Sequence, residues 1–187
     1  MKKTIFAALA VAMSTVSLGG AFAQETPHAG YRETGSQRDW VGIFSPDRGI
    51  EKSTTSCAIY SRPKTSGVFS ADAKIDTMRG ELAAFVSWSG KASDTEGEIS
   101  FMVGTPVTEG KSDTHALTID GDARFDLVGV GDRLYVMPQD DAAALAALRR
   151  GSEMVVTAET SEGNVIKDAY SLMGVQGMTA IQKVECR

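Results

Sequence analysis

Short segments that alternate apolar and polar residues, separated by turn residues, recur along most of this 187-residue chain and constrain its fold more than any other feature. Phe125-Asp126-Leu127 and Leu134-Tyr135-Val136 show the two-residue period of a half-buried strand. Asp120-Gly121 indicates a tight hairpin, because this pair tolerates the positive φ that such turns require. Regularly spaced short strands of this kind predict a mainly β fold, as an antiparallel sandwich or barrel.

The same pattern predicts nine strands, which lie at 40–44, 57–61, 82–88, 98–103, 115–119, 124–128, 133–137, 154–160 and 165–172. Two further hairpin loops are expected at 129–132 and 161–164, where glycine and polar residues follow a strand. Trp40 and Trp88 fall within these strands, and a tryptophan on a strand of a sandwich is expected to fill the core.

Two short helices are predicted to interrupt the strands. Asp140-Asp141 opens an alanine-rich segment that ends at Arg149-Arg150, and charges of these signs oppose the helix dipole at each end. Gly151 is expected to close this helix in the left-handed conformation. The second helix, at 178–185, is too short to persist alone in water and ends beside Cys186.

Residues 1–23 have the order of a secretory signal peptide, with a buried N-terminal helix as the alternative interpretation. Lys2-Lys3 precedes an apolar run at 5–18, and Ala21-Phe22-Ala23 supplies the small residues of a cleavage site. The run is shorter than the roughly 20 residues that cross a bilayer, so no stable membrane anchor is expected. The sequence therefore predicts a periplasmic or secreted protein.

The remaining chain has the length of one domain. Residues 24–39 are polar and turn-rich and are predicted to form a flexible leader, and residues 40–187 a single β-sandwich domain. Removing two lysines with the signal changes the formal net charge from −5 to −7. An acidic chain repels phosphates, so nucleic acid is not an expected partner.

The two cysteines, Cys57 and Cys186, are expected to form a disulfide, because an even count in an exported chain favours a structural bond. A catalytic cysteine is the competing interpretation. The only histidines are His28, in the polar N-terminal segment, and His115, within a predicted strand. No Cys-x-x-Cys motif is present in the sequence.

Other catalytic and metal-binding motifs are incomplete in this sequence. Asp120-Gly121-Asp122 begins like a calcium loop, but Arg124 stands at its fifth position and no Glu follows at the twelfth, so turn chemistry explains these residues. No Gly-x-Ser-x-Gly elbow is present, and the histidines and cysteines are not at ligand spacing. We therefore expect no enzyme, no catalytic residues, no metal and no cofactor.

A series of motifs resembles the invasion-associated locus B family. RGELAAFVS at 79–87 and ISFMVGTPV at 99–107 are similar to two of its consecutive strands. The similarity extends over about residues 40–186 through TIDG at 118–121, FDL at 125–127, GDR at 131–133, RGSEMVV at 150–156 and AYSLMG at 169–174. The order of these motifs carries the resemblance, since no single one would be specific.

This resemblance implies an exported Gram-negative envelope protein with an immunoglobulin-like β-sandwich. It supplies no catalytic residues to carry over, only the framework cysteines. The segment between Pro46 and Lys74 departs from the family pattern by a longer loop before Cys57, so a binding specificity there would be particular to this chain.

Two functions remain open from the sequence. The first is a non-enzymatic periplasmic or secreted interaction protein that binds an envelope or host-surface protein and supports envelope integrity or host-cell association. The alternative is a small-ligand-binding or hydrolytic periplasmic protein with its site between sheet and helix. A deep pocket with converging polar groups favours the alternative, whereas an exposed apolar edge or patch favours the interaction protein.

Export generates a first prediction. The protein recovered from the periplasm or the medium should begin at Gln24, because the signal is removed after Ala23. N-terminal sequencing checks this, and an intact Met1 on the folded, exported species would contradict it.

Overall fold

Antiparallel strands and two helices make up the part of the chain that this computed structural model describes, residues 32–45, 56–89, 92–93 and 95–186. The predicted signal peptide and residues 24–31 lie outside the described residues. In chain order, the elements are β1 Arg32–Gln37, β2 Trp40–Ser45, β3 Ser56–Ser61, β4 Thr65–Ser70, β5 Ala73–Ile75, β6 Ala83–Ser89, β7 Glu98–Met102, β8 Gly110–Ile119, β9 Ala123–Val130, β10 Arg133–Val136, α1 Asp141–Arg150, β11 Glu153–Glu159, β12 Val165–Ser171 and α2 Val175–Glu185.

The strands form one continuous sheet of twelve strands in the order β1-β2-β3-β6-β7-β10-β9-β8-β11-β12-β4-β5. This confirms the predicted mainly β fold with two helices, one of them C-terminal. Strands β3 and β4 are far apart in this order, yet only the short connection between Ser61 and Thr65 joins them. The sheet must therefore fold back on itself, an arrangement compatible with a β-sandwich, and the immunoglobulin-like connectivity stays a prediction.

The folded sheet encloses one large hydrophobic core on its inner face. Alternate residues of nearly every long strand, such as Ile59, Phe101 and Leu134, are buried in it together with residues of both helices. Trp40 and Trp88 belong to this core, which confirms their prediction as core residues. A smaller buried cluster lies on the opposite face of three neighbouring strands and comprises Val41, Ile43, Ala58, Tyr60, Ala83 and Phe85.

Turn chemistry explains the predicted hairpins. Asp120 and Gly121 have φ of 50° and 81° and connect β8 to β9, as the sequence predicts. The Asp120 carboxylate also accepts hydrogen bonds from the backbone N–H groups of Ser152, at 2.9 Å, and Glu153, at 3.0 Å. This turn residue therefore also attaches the β8–β9 hairpin to the start of β11.

Gly151 ends α1 for a reason that differs from the predicted one. Its φ of −76° and ψ of 169° are extended, so the expected left-handed cap is wrong. A Cβ at this position would lie 2.6 Å from Cγ2 of Ile119 and 2.8 Å from Cδ1 of Leu172. Glycine is needed here because the chain passes between two core side chains, not because of its backbone conformation.

Helix α2 begins at Val175, three residues before the predicted start, and packs on the inner face of β1, β2 and β3. The predicted disulfide is present, with the α-carbons of Cys57 and Cys186 6.2 Å apart. Both cysteines are fully buried, so the bond fixes the last turn of α2 to β3 inside the core.

The predicted leader at 24–39 is wrong from Arg32 onward, because β1 is a strand of the sheet. Its sequence, RETGSQ, lacks the apolar alternation that predicts strands, and its stability comes from tertiary partners. Strand β2 pairs with it along its length, and Thr34 Oγ1 donates a hydrogen bond of 2.9 Å to Gln182 Oε1 of α2. The ordered domain therefore starts before residue 40.

Strands β4 and β5 were also not predicted. The two residues between them, Ala71 and Asp72, have φ of 45° and 66°, the pattern of a type I′ hairpin. Because this turn contains no glycine or asparagine, it has no strong sequence signal. The segment between Pro46 and Lys74 thus contributes β3, β4 and most of β5 to the sheet.

Removing the disulfide generates a stability prediction. Replacing both cysteines by serine frees the unfolded chain from a constraint that spans 129 residues, and native disulfides typically contribute about 2–4 kcal/mol. For a domain of this size, the melting temperature should fall by about 5–10 °C relative to the oxidised wild type. Hydrogen exchange should show α2 losing protection first. A double variant that melts with the wild type would refute the role of this bond.

Candidate functional site

The histidine that could act as a base, His115, is fully buried in β8. Its Nε2 lies 3.3 Å from the carbonyl oxygen of Glu159, and its Nδ1 has no hydrogen-bond partner among the described residues. The nearby hydroxyls of Ser112 and Thr114 both contact the Glu159 carboxylate, at 3.3 Å and 3.2 Å, rather than the imidazole. Among the described residues, therefore, His115 forms no nucleophile–base pair. His28 lies outside the described residues.

The acidic residues that resembled a calcium loop have structural partners. In the part of the chain that the structure describes, no group of three His, Cys, Asp or Glu residues is placed to hold a metal ion. The backbone N–H groups of Glu153 and Ser152 hold the pKa of Asp120 below its usual value. Asp120 therefore acts as an acceptor for these N–H groups.

A buried ion pair crosses the interior of the fold. Arg79 donates a hydrogen bond of 2.9 Å to Asp168, and 6% of the Arg79 side chain and none of Asp168 is exposed. Arg79 also reaches the carbonyl oxygen of Val103, at 3.3 Å, so the pair connects the segment before β6 with β12. Burial raises the pKa of Asp168 even though Arg79 opposes the shift.

Two further residues, Tyr170 and Asp141, have shifted pKa values but lie away from both cavities. Burial raises the pKa of Tyr170 above its ordinary value, and its hydroxyl, near Asp168, has no partner among the described residues. Burial also raises the pKa of Asp141 to about 6, and its carboxylate accepts a 3.2 Å hydrogen bond from the backbone N–H of Ile99. Neither residue lines either of the two cavities described below.

The larger of these two cavities, of about 510 Å3, lies on the outside of the β8–β9 hairpin and is lined by Lys111, Ser112, Asp113, Arg124, Asp126 and Leu127. Its two cations face two carboxylates, and Arg124 also donates a hydrogen bond of 3.0 Å to the carbonyl of Asp113. Neither helix lines this cavity or the second one. Neither of these two cavities is therefore the site between sheet and helix that a small-ligand-binding or hydrolytic protein would need.

The second cavity is a groove of about 230 Å3, called here the basic groove, lined by Ser36, Arg38, Asp39, Val41, Arg62, Pro63 and Lys64. Two connections form it. The β1–β2 hairpin supplies one wall, and the segment between β3 and β4 supplies the other. The pairing of β2 with β3, in which Val41 lies opposite Tyr60, holds these connections together, and Ser61 Oγ donates a 2.7 Å hydrogen bond to the carbonyl oxygen of Asp39.

The three cations of the basic groove differ in their partners. Lys64 forms an ion pair with Asp39, and Arg62 lies 3.7 Å from Glu81. The Lys64 ammonium and then the Ser171 hydroxyl hold the pKa of Asp39 below its usual value, so this carboxylate is ionised at neutral pH. Arg38 is exposed and forms no close ion pair with any described residue, although its charge also helps to lower the pKa of Asp39.

Strand β1 ends the sheet directly beside the basic groove. Among the described strands it pairs only with β2, so its other edge carries backbone groups without a strand partner. A bulge between Glu33 and Gly35 interrupts its register, which leaves the half from Gly35 to Gln37 as the regular edge. Gln37 pairs with Trp40 across a two-residue turn, so the backbone groups of Ser36 point away from β2.

The described structure defines the class of the protein as a mainly β, disulfide-bonded domain with an open edge strand beside a basic groove. The disulfide indicates an oxidising compartment. Within the described ranges, neither helix has the length and apolar character needed to cross a membrane. Comparison of the chain with protein-family models, curated proteins and solved structures finds no match in any of the three.

Sequence reasoning located the cysteines and the core tryptophans but missed the basic groove. Three of its seven lining residues come from the segment predicted to be a leader, one from the predicted first strand, and three from the connection between β3 and β4. The available signal was Arg38-Asp39 directly before the apolar strand β2, because a two-residue polar insert can form a hairpin turn.

The buried ion pair generates a stability prediction. Asp168→Asn leaves the Arg79 guanidinium buried without its counter-charge, which should lower the free energy of unfolding by about 3–5 kcal/mol in urea titration. The matched control is Asp126→Asn, since Asp126 is 67% exposed and 4.0 Å from Arg124. That exposed pair should contribute less than about 1 kcal/mol. Equal effects of the two variants would contradict the structural role of the buried pair.

Proposed function

We propose that this chain is a non-enzymatic, exported interaction protein of the invasion-associated locus B type. It binds an extended segment of an envelope or host-surface protein along the open edge of β1. The single observation that carries this proposal is the position of β1, which ends the described sheet with one edge unpaired beside the basic groove.

An unpaired edge is a binding template because its outward N–H and C=O groups can hydrogen bond to another extended chain. Sheets usually protect such edges by keeping them short or by covering them. At the opposite end of the sheet, β5 has only three residues, whereas β1 has six. Helix α2 packs on the inner face of β1 and does not pair with its edge.

The rest of the described surface gives less support to other sites. The large apolar side chains that are exposed, Met78, Val130, Met173 and Val184, lie in four separate parts of the chain. The larger cavity is polar, open and balanced in charge. The β1 edge is therefore the best-supported contact surface, and export follows from the predicted signal and the oxidised cysteines.

A proline substitution tests the edge directly. Ser36→Pro removes the backbone N–H that points away from β2, so an added strand loses a hydrogen bond while the pairing of β1 with β2 remains. The mature protein should capture a partner from envelope extract, and Ser36→Pro should lose at least about tenfold in affinity for it, as expected from one lost contact plus distorted pairing. The matched control is Ser36→Ala, which removes the side chain but keeps the N–H and should bind like the wild type.

A second measurement covers the case in which Ser36→Pro unfolds. A photo-crosslinking residue at Ser36, which lines the basic groove, should form an adduct with the partner, whereas the same residue at Lys74, on the β5 edge, should not. Equal adducts at both edges, or full binding by a folded Ser36→Pro protein, would show that β1 is not the contact surface.

A further inference from the structure

We propose that the basic groove selects partner segments that carry carboxylates next to the β1 edge, and that Arg38 is the residue that determines this selectivity. The inference rests on the proposed function of the β1 edge and adds the chemical class of the partner: an extended acidic segment, with Glu or Asp at alternate positions.

The backbone at Arg38 gives the first argument. Arg38 occupies the first central position of the β1–β2 turn with a φ of 53°, a left-handed conformation that glycine adopts with less strain than arginine. The next turn residue, Asp39, does not have a positive φ. Glycine would make this turn less strained, so the conformation of the hairpin does not explain why an arginine stands here.

The partners of the other two cations give the second argument. Asp39 and Glu81 already face Lys64 and Arg62, and their carboxylates would repel an incoming anion. Arg38 is exposed, and it makes no close ion pair with a described residue, although it has a longer-range Coulombic attraction to the Asp39 carboxylate. An incoming carboxylate therefore finds its most favourable contact at Arg38, while Lys64 and Arg62 add positive potential behind it.

The geometry of an added strand gives the third argument. Alternate side chains of an extended segment point to the same face about 6.6–6.8 Å apart. A strand that pairs with Ser36 carries its next residues past Gln37 toward the turn, within the reach of the long Arg38 side chain. A guanidinium can bind a carboxylate through two parallel hydrogen bonds, which a neutral amide cannot reproduce.

Two synthetic peptides test this selectivity on the mature protein. Both have the sequence of a nine-residue alternating strand, with Thr and Val between Glu residues in one and between Gln residues in the other. Fluorescence anisotropy at low and high salt gives their dissociation constants. The Glu peptide should bind at least about tenfold more tightly than the Gln peptide at low salt, and high salt should reduce this difference.

Arg38→Gly should remove that difference while leaving the melting temperature equal or higher, because glycine relieves the strained turn. The matched control is Arg124→Gly, which removes the same charge at the other cavity and should keep the preference for Glu. A preference that survives Arg38→Gly would show that another cation carries it and would overturn the role of Arg38.

The remaining outcomes separate this inference from the proposed function. Equal binding of the two peptides, abolished by Ser36→Pro, would overturn the carboxylate preference and leave the β1 edge as the binding surface. Binding of neither peptide would also overturn the preference, and the crosslinking comparison between Ser36 and Lys74 would then decide the proposed function.

Discussion

Burial of one face of every long strand in a common core is the constraint on which the other features depend. Because the sheet is continuous, its strands can share that core only if the sheet folds back on itself. Two internal contacts hold the fold-back: the Trp40 indole donates a 2.9 Å hydrogen bond to the carbonyl of Ser171, and Arg79 pairs with Asp168. The first joins β2 to β12 and the second joins the segment before β6 to β12, so each stabilises the same closure.

The pairing of β2 with β3 forms the surface that we assign to binding. Its register brings the short connection after β3 against the β1–β2 hairpin, and the basic groove lies between them. Helix α2, fixed by the disulfide, supports β1 from the inner face and leaves its edge open. The stabilising and the binding features are therefore linked, because the same elements that complete the core position Arg38 and the regular half of β1.

Elements that are stabilised by a periodic buried face were predicted from the sequence, whereas elements that are stabilised by tertiary contacts were missed. Strands with a two-residue period, such as β9 and β10, were predicted close to their observed bounds because one of their faces is buried in the core. Strand β1 has no such period and was missed, since pairing with β2 and contact with α2 stabilise it. The sequence predicted Gly151 as the end of α1. The reason that glycine is needed there is tertiary, because the backbone passes close to Ile119 and Leu172.

The sequence by itself determined the mainly β class, the helix positions, the buried tryptophans and the pairing of Cys57 with Cys186, because local periodicity and the number of cysteines are sufficient for these features. Only the tertiary structure decided which strand ends the sheet, which carboxylate neutralises Arg79, and which cations meet in the basic groove. These depend on residues such as Arg38 and Lys64 that come from separate connections, and their proximity arises only when β2 pairs with β3.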